Sequence, residues 1–167
     1  TPAVDAPGVA TAYAASVATE HTAYLDCAAS HHQGNKGFIS RYGIGVPTDR
    51  RTRINGVNTQ APLYSTQRAR ARFTVDREGG ETHVLPLDDV LCGTAISGPA
   101  LVSLGRLTAS GFVMLFAGSD CFMFDDHMQL IKTVQRTHDF MYPLETGGSA
   151  GAGTRIHAPG LSEKSQG

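Results

Sequence analysis

The sequence predicts an all-β protein with one short helix, and three observations support this fold class. Glycine is abundant, at 19 of 167 residues, while only 17% of the residues are charged, which favours a turn-rich β domain over a helical bundle. Residues 68–75 alternate strictly between charged or polar and apolar side chains, the period of a half-buried strand. Two short apolar segments, 112–116 and 121–124, are joined by Ala-Gly-Ser-Asp, a turn-forming sequence.

Length and charge bound the function. A chain of 167 residues supports one domain with a modest core, so an enzyme with two full lobes is excluded. The formal net charge of -1 gives no basic excess, and direct nucleic-acid binding is therefore not expected. No apolar run approaches the roughly 20 residues of a membrane span. The N-terminal residues have no basic segment followed by an apolar core, so we do not expect them to be a secretory signal. We expect no contact with a membrane.

The cysteines indicate the compartment. Cys27, Cys92 and Cys121 are odd in number and form no CxxC pair, so neither a full disulfide framework nor a four-cysteine zinc site is available. An intracellular, cytoplasmic location is the simplest expectation.

Three regions are predicted along the chain. Residues 1–21 are rich in alanine and threonine and are expected to form a flexible lead-in. Residues 22–144 form the folded domain. Residues 145–167 are rich in glycine, serine and alanine, and they have too few apolar side chains to offset the entropy of ordering. This disordered tail or linker suggests a piece of a longer polyprotein.

In the N-terminal half, strands are predicted at residues 22–25, 38–42, 68–75 and 82–85. The glycines after Glu78 turn the third of these into the fourth, forming a hairpin. Arg68, Arg70 and Arg72 share one face of the third strand. They are interpreted as a solvated strand face, with a nucleic-acid stripe as the alternative, since no aromatic residues are interleaved with them.

In the C-terminal half, one helix is predicted. Ser97-Gly98-Pro99 would begin it, Leu101, Leu104 and Leu107 recur at helical spacing, and Gly111 would end it. Strands are expected at 112–116, 121–124 and 128–134.

The residues from Asp26 onward carry the chemistry. Asp26 ends an apolar strand and begins the sequence Asp-Cys-Ala-Ala-Ser-His-His-Gln-Gly-Asn-Lys. A carboxylate on a tight loop of small residues, directly after a buried strand, is the way aspartic proteases present their catalytic group.

This stretch resembles the Asp-Ser-Gly-Ala-Ser-x-His or Asp-Ser-Ala-Cys-Ser-x-His active-site segment of copia-type retrotransposon proteases. Gly34-Asn35-Lys36 and the aromatic Phe38 continue the resemblance. Downstream, Asp89-Val90-Leu91-Cys92, Gly98-Pro99 and the Leu101–Leu107 segment ending at Gly111 follow in the family's order. The resemblance covers roughly residues 24–144.

The resemblance implies a retropepsin-like half-barrel with one short helix, completed by homodimerisation. Asp26 would be catalytic, and the active-site loop would contain Cys27, Ala28, Ala29, Ser30 and His32. The implied function is aspartic endopeptidase processing of a Gag-Pol polyprotein, in the cytoplasm or within virus-like particles. The substrate would be an extended peptide, the chain's own polyprotein, and no cofactor or metal is implied.

The chemistry independently requires two carboxylates. Peptide hydrolysis by carboxylates holds a water between them, one accepting its proton while the other donates to the substrate carbonyl. Asp120 is expected in a turn, and Asp125-Asp126 in a solvated turn, so neither stands in a setting like that of Asp26. The second carboxylate would therefore be Asp26 of a partner subunit.

Such an enzyme also needs a flap, a mobile hairpin that closes over the substrate. The candidate flap comprises Ile54, Asn55, Gly56, Val57 and Asn58, with the Asn-Gly pair as its turn. An ordinary surface hairpin is the alternative interpretation.

Other functions compete with catalysis by Asp26. Cys27 stands where the family usually has serine or threonine, and Ala28 where it usually has glycine, which would be costly if the loop needs a positive φ. A domesticated, non-catalytic dimerisation or interaction module is therefore the main alternative. A metal site at His31-His32 and a Cys27 nucleophile with a histidine base are weaker alternatives.

Overall fold

A computed structural model describes residues 22–55, 63–77 and 79–144 of the chain. Nine strands and two short helices form within these ranges, which confirms the all-β class. In chain order they are β1 (Ala23–Asp26), α1 (Lys36–Tyr42), β2 (Gly43–Ile54), β3 (Leu63–Asp76), β4 (Thr82–Cys92), β5 (Ala100–Ser103), α2 (Leu104–Ala109), β6 (Val113–Ala117), β7 (Asp120–Phe124), β8 (Leu130–Gln135) and β9 (Tyr142–Leu144). The predicted lead-in at 1–21 and tail at 145–167 lie outside the described residues.

The strands form three three-stranded groups, ordered β5-β1-β9, β2-β3-β4 and β6-β7-β8. β1 is central in the first group, parallel to β5 and antiparallel to β9. Its residues Ala23, Tyr24 and Leu25 are buried, as expected for a strand with neighbours on both sides. Asp26 is the last residue of this strand and pairs with Ser103.

The predicted strand at 68–75 is confirmed within β3. Ala69, Ala71, Phe73 and Val75 are all buried, and the residues between them are exposed or half-buried. β3 pairs antiparallel with β4 from Asp76 and Thr82 onward, so the predicted hairpin is also confirmed. It also pairs along its other edge with β2.

The prediction of a strand at 38–42 is wrong, because these residues form α1. Asn35 caps this helix, its side-chain oxygen accepting the Phe38 N–H at 2.7 Å. Phe38 and Tyr42 lie one helical turn apart, both buried, with ring centroids 5.0 Å from each other and 5.5 and 5.0 Å from Phe73. Aromatic packing at four-residue spacing thus selects a helix, and the expected single helix becomes two.

The predicted helix start at 97–99 is also wrong. Residues 100–103 form β5, and the helix α2 begins only at Leu104. Ala100, Val102 and Ser103 are buried beside β1, while the backbone of Leu101 bonds that of Gln33. Residues 100–103 therefore form a strand because they pair in parallel with β1. Leu101 lies in this strand and not in the helix, so its helical spacing from Leu104 and Leu107 does not reflect a helix.

The C-terminal strands agree with expectation. β6 and β7 form an antiparallel hairpin, and β8 continues the sheet with a register shift opposite Phe124. Met128 lies in the turn before β8 with a φ of 60°. Neither helix in the described ranges has the length and apolar character needed to cross a bilayer.

Candidate active site around Asp26

Asp26 is the last residue of a buried strand and the first residue of a loop, residues 26–32, called here the Asp26 loop. Its Oδ1 accepts the N–H of Ala28 at 2.8 Å, an Asx turn that fixes the carboxylate against its own backbone. Cys27, Ala28 and Ser30 are exposed, and Ala29 is half-buried. The small side chains leave the carboxylate accessible at the end of a rigid strand.

Ser103 holds this loop from the neighbouring strand. Its hydroxyl donates to the carbonyl of Ala29 at 2.6 Å, and its backbone N–H donates to His32 Nδ1 at 3.0 Å. The same hydroxyl oxygen caps α2 by accepting the Arg106 N–H at 3.3 Å. Arg106 Nε in turn donates to the carbonyl of Ser30 at 2.8 Å. The start of α2 is thus tied to the Asp26 loop at three of the loop's residues.

His32 and Gln33 anchor the far end of the loop. The His32 carbonyl accepts from the Leu91 N–H at 2.8 Å, and Gln33 exchanges two backbone bonds of 2.9 Å with Leu101. Burial, followed by the charge of Arg106, lowers the pKa of His32 from 6.5 to about 4. The ring is therefore neutral at neutral pH, with Nδ1 accepting from Ser103 and the proton on Nε2.

A cluster of charges lies behind the loop, formed by Arg68, Asp89, Arg106 and His31 and called here the Asp89 cluster. Arg68 Nη1 lies 2.6 Å from both carboxylate oxygens of Asp89. Arg106 Nη2 and His31 Nε2 lie 3.6 and 3.8 Å from Asp89 Oδ2. Partial burial alone would raise the pKa of the Asp89 carboxyl, but the bonds and charge of Arg68, then the charge of Arg106, lower it.

The hairpin β2–β3 is attached to the same cluster. Arg68 also donates to Thr52 Oγ1, from Nη2 at 3.0 Å and from Nε at 3.3 Å. The strand pattern predicts three solvated arginines on one face of β3. Arg70 and Arg72 are exposed as expected, but Arg68 is half-buried and bonded to Thr52 and Asp89. A continuous set of polar contacts runs from β2 through Arg68 and Asp89 to Arg106 and the Asp26 loop.

The candidate flap is only partly described. β2 ends at Ile54, which pairs with Leu63 of β3. Ile54 is half-buried and Asn55 is exposed. The remaining flap residues, Gly56, Val57 and Asn58, lie outside the described residues.

The two departures from the family motif are accommodated by the loop. The non-glycine residues with positive φ in the described ranges are Asp89, Met128 and Phe140, so Ala28 is not strained. Cys27 is exposed and unbridged. The Nδ1 atoms of the nearby histidines have other neighbours, Ser30 Oγ at 3.1 Å for His31 and Ser103 for His32. This geometry does not favour a histidine-activated thiol.

The remaining carboxylates stand apart from the Asp26 loop. Asp125 Oδ1 accepts the N–H groups of His127 and Gln129, both at 2.9 Å, and so forms the expected turn. Asp120 is buried as the first residue of β7, not exposed in a turn. Within the described ranges, no His, Cys, Asp or Glu side chains form a group of three able to hold a metal ion.

Comparison of the chain with known protein families, curated proteins and solved structures finds no match.

Sequence reasoning missed the residues that support the loop. Ser103, Arg106 and Asp89 contact it from β5, α2 and β4, far away along the chain. Only the capping position of Ser103, three residues before the Arg106 N–H that it accepts, left a local signal in the sequence. Asp89 has a φ of 61°, a conformation that aspartate tolerates better than most residues. Nothing in its sequence context marks it.

Proposed function

We propose that this protein is a retropepsin-like aspartic endopeptidase that processes a retrotransposon Gag-Pol polyprotein. One observation carries the proposal. Asp26 ends the buried central strand β1 and presents its carboxylate on a short loop of small residues, which Ser103 and Arg106 brace through its backbone carbonyls. A general acid or base must be held in place by rigid structure.

The active species is a homodimer in this proposal. The described part of one chain places no second carboxylate in hydrogen-bond contact with Asp26. Two chains related by a two-fold axis would bring their Asp26 carboxylates together. At contact distance two such groups share one proton, because both cannot ionise in the same small space.

The catalytic cycle follows from that shared proton. The ionised Asp26 takes a proton from the bound water, whose oxygen attacks the scissile carbonyl carbon, while the protonated Asp26 donates to the carbonyl oxygen. The resulting tetrahedral diol breaks its C–N bond as the nitrogen receives a proton from the first carboxyl and the second carboxylate takes a proton from one diol hydroxyl, which restores the shared proton of the pair. The chain needs no cofactor for these steps, and the substrate binds as an extended peptide across the two Asp26 loops of the dimer.

Cleavage of a peptide library by the purified chain tests the proposal, with mass spectrometry identifying the products. At mildly acidic pH, we expect cleavage that falls at least ~100-fold in Asp26→Asn, the range of a general acid–base contribution. Asp126→Asn is the matched control, since Asp126 is an exposed turn carboxylate. Equal activity in Asp26→Asn and wild type would refute the aspartic mechanism.

Cys27→Ser separates the thiol mechanism from the aspartic one. The aspartic mechanism predicts that this variant keeps its activity, whereas a cysteine hydrolase would lose it. If no peptide is cleaved under any condition, the non-catalytic interaction module is the better description. For both the protease and the interaction module, the proposed location is the cytoplasm or virus-like particles within it.

A further inference from the structure

The formal net charge of -1 averages over an uneven distribution of charge along the chain. Residues 43–76, which include the strands β2 and β3, contain six arginines, two aspartates and no lysine or glutamate. This segment therefore has a net charge of +4, which leaves -5 for the rest of the chain. The arginines are Arg50, Arg51, Arg53, Arg68, Arg70 and Arg72. A weakly charged protein can thus present one strongly positive surface.

Two aspartates of β4 neutralise one side of this surface. Arg68 Nη1 lies 2.6 Å from the carboxylate of Asp89, and Arg70 Nε lies 3.3 Å from that of Asp88. The three arginines of residues 50–53 lie on the other side of β3, in β2, and all three are exposed. Within the described ranges, they form no ion pair with a carboxylate. The uncompensated positive charge is therefore concentrated on β2.

Tyr64 supplies an aromatic ring among these arginines. It pairs with Arg53 in the register of β2 and β3, so their side chains project from the same face of the hairpin. The Arg51 guanidinium lies over the Tyr64 ring, 4.0 Å from its centroid. The ring is half-buried, and both arginines are exposed. We call Arg51, Arg53 and Tyr64 the Tyr64 face.

An aromatic ring beside exposed guanidinium groups suits single-stranded nucleic acid. Unpaired bases stack on aromatic rings and on guanidinium planes, and arginine donates two parallel hydrogen bonds to a phosphate. An acidic polypeptide would use the charges but not the ring. The bases of a duplex are already stacked on one another, so a duplex would also leave the ring unused.

We propose that the Tyr64 face binds single-stranded nucleic acid without sequence preference. Phosphates bond Arg51 and Arg53, while Arg50 adds positive charge from the same strand. A base stacks on the Tyr64 ring or on the guanidinium that lies over it. Contacts to phosphates and to the π-face of a base are the same for every sequence. The inference goes beyond the proposed protease and uses no residue of the Asp26 loop.

Fluorescence anisotropy of a labelled oligouridylate tests the proposal, with a probe of about 20 nucleotides, longer than the site of one small domain. The full chain is titrated in an Asp26→Asn background, which prevents self-cleavage. We expect binding that weakens with salt, with a slope of log K against log salt of about -2 for three phosphate contacts.

Two variants separate the charge of the Tyr64 face from its aromatic ring. Arg51→Gln/Arg53→Gln should raise the Kd at least ~10-fold and reduce the salt slope to about -0.7, because one phosphate contact remains. Tyr64→Leu should raise the Kd ~5- to 100-fold and leave the slope unchanged, because it removes stacking but no charge.

Arg77→Gln/Arg136→Gln is the matched control, because it removes the same charge from other parts of the surface. Arg77 contacts Gln129, and Arg136 lies over the ring of Phe140, 4.8 Å from its centroid. The control therefore also removes a guanidinium from an aromatic ring. Its Kd and salt slope should equal those of the Asp26→Asn chain.

Cross-linking supplies a second measurement if Tyr64→Leu fails to fold. An oligonucleotide that contains 4-thiouridine is irradiated in complex with the Asp26→Asn chain, and mass spectrometry identifies the attached peptides. Cross-links should lie in the peptides that contain residues 50–53 or Tyr64. Cross-links confined to other parts of the chain would contradict the proposed site.

Several results would overturn the proposal. These are no binding of the oligouridylate at low salt, equal Kd values for the two double variants, and a duplex of the same length bound as tightly as the single strand. Binding of phosphatidylserine vesicles or polyglutamate in place of the oligouridylate would also overturn it, because the partner would then be a membrane or an acidic polypeptide.

The outcomes separate this inference from the catalytic one. A chain that binds the oligouridylate through the Tyr64 face but cleaves no peptide as wild type would support the binding site and refute the protease. Asp26-dependent cleavage by a chain that does not bind the oligouridylate would support the protease and refute the binding site.

Discussion

The hydroxyl of Ser103 donates to the carbonyl of Ala29 at 2.6 Å, and this bond joins the end of β5 to the loop that presents Asp26. The same oxygen accepts the N–H of Arg106 in the first turn of α2. One buried side chain therefore both begins a helix and fixes the position of the candidate active-site loop.

Ser103→Ala should lower the free energy of unfolding by ~1–3 kcal/mol, because it removes a helix cap and leaves the Ala29 carbonyl without its donor. Urea denaturation measures this loss. Ser110→Ala is the matched control, because Ser110 is an exposed residue at the other end of α2. We expect it to change stability by less than ~0.5 kcal/mol. Equal losses in the two variants would contradict the role given to Ser103.

His32 should make stability fall in mild acid. Its pKa in the folded protein is about 4, against an ordinary value of 6.5. The unfolded chain therefore binds the proton first as the pH falls from 6.5 to about 4, and this favours unfolding by up to ~1.4 kcal/mol per pH unit. Above pH 6.5 the neutral ring contributes its full stabilisation.

Urea denaturation across this pH range, comparing wild type with His32→Asn, measures the effect. Asparagine offers an acceptor near the position of Nδ1 but does not titrate, so the two stability curves should converge as the pH falls. His127→Asn is the control, because His127 is an exposed turn residue. Its curve of stability against pH should have the same shape as that of wild type. Parallel curves for wild type and His32→Asn would rule out His32 as the titrating group.

Asp89 should stabilise the fold above its ordinary pKa. The folded-state pKa lies below 3.8, so its contribution is present above pH 3.8 and is lost as the pH falls through the folded-state pKa. We therefore expect Asp89→Asn to be less stable than wild type at about pH 5, with the difference narrowing toward about pH 3. Asparagine tolerates the positive φ at this position, so the backbone is preserved.

Asp88→Asn provides the control for Asp89, because the Asp88 carboxylate is more exposed and pairs with the exposed Arg70. Such a surface pair contributes little to stability. The prediction would be contradicted if both variants lost the same free energy of unfolding, or if the loss in Asp89→Asn grew as the pH fell. Either result would show that the Asp89 cluster does not provide the stabilisation.

Ala28→Gly should not stabilise the protein, although glycine is the usual residue of the family that the loop resembles. Ala28 has a negative φ, so glycine relieves no strain and adds freedom to the unfolded chain, at a cost of ~0.4–1 kcal/mol. Thermal unfolding provides the measurement. A stabilised variant would show that the loop strains the Cβ of Ala28.

Local periodicity explains which elements the sequence predicts correctly. The alternation in β3 and the apolar segment of β7 report directly which side chains are buried, and each is visible within a few residues. Residues 38–42 and 100–103 are different, because an apolar segment of four or five residues fits either a helix or a strand. Their conformation depends on Phe73 and on β1, which come from elsewhere in the chain.

The same limit applies to the candidate site. Asp26 and its loop of small residues are recognisable because they are contiguous. The donors that hold the loop, Ser103 and Arg106, lie 74 and 76 residues from their acceptors Ala29 and Ser30. No pattern within the sequence links residues so far apart.

Because β1 lies between two strands, it can complete its pairing only after both of them have been synthesised. Asp26 is synthesised before both neighbours of its strand, β5 and β9, which end at Ser103 and Leu144. Contacts so distant along the chain form slowly, after the loop between them has closed. A growing polypeptide therefore carries Asp26 on an unsupported strand until the whole domain has left the ribosome. In the proposed protease, this order of events would delay cleavage until the domain is complete.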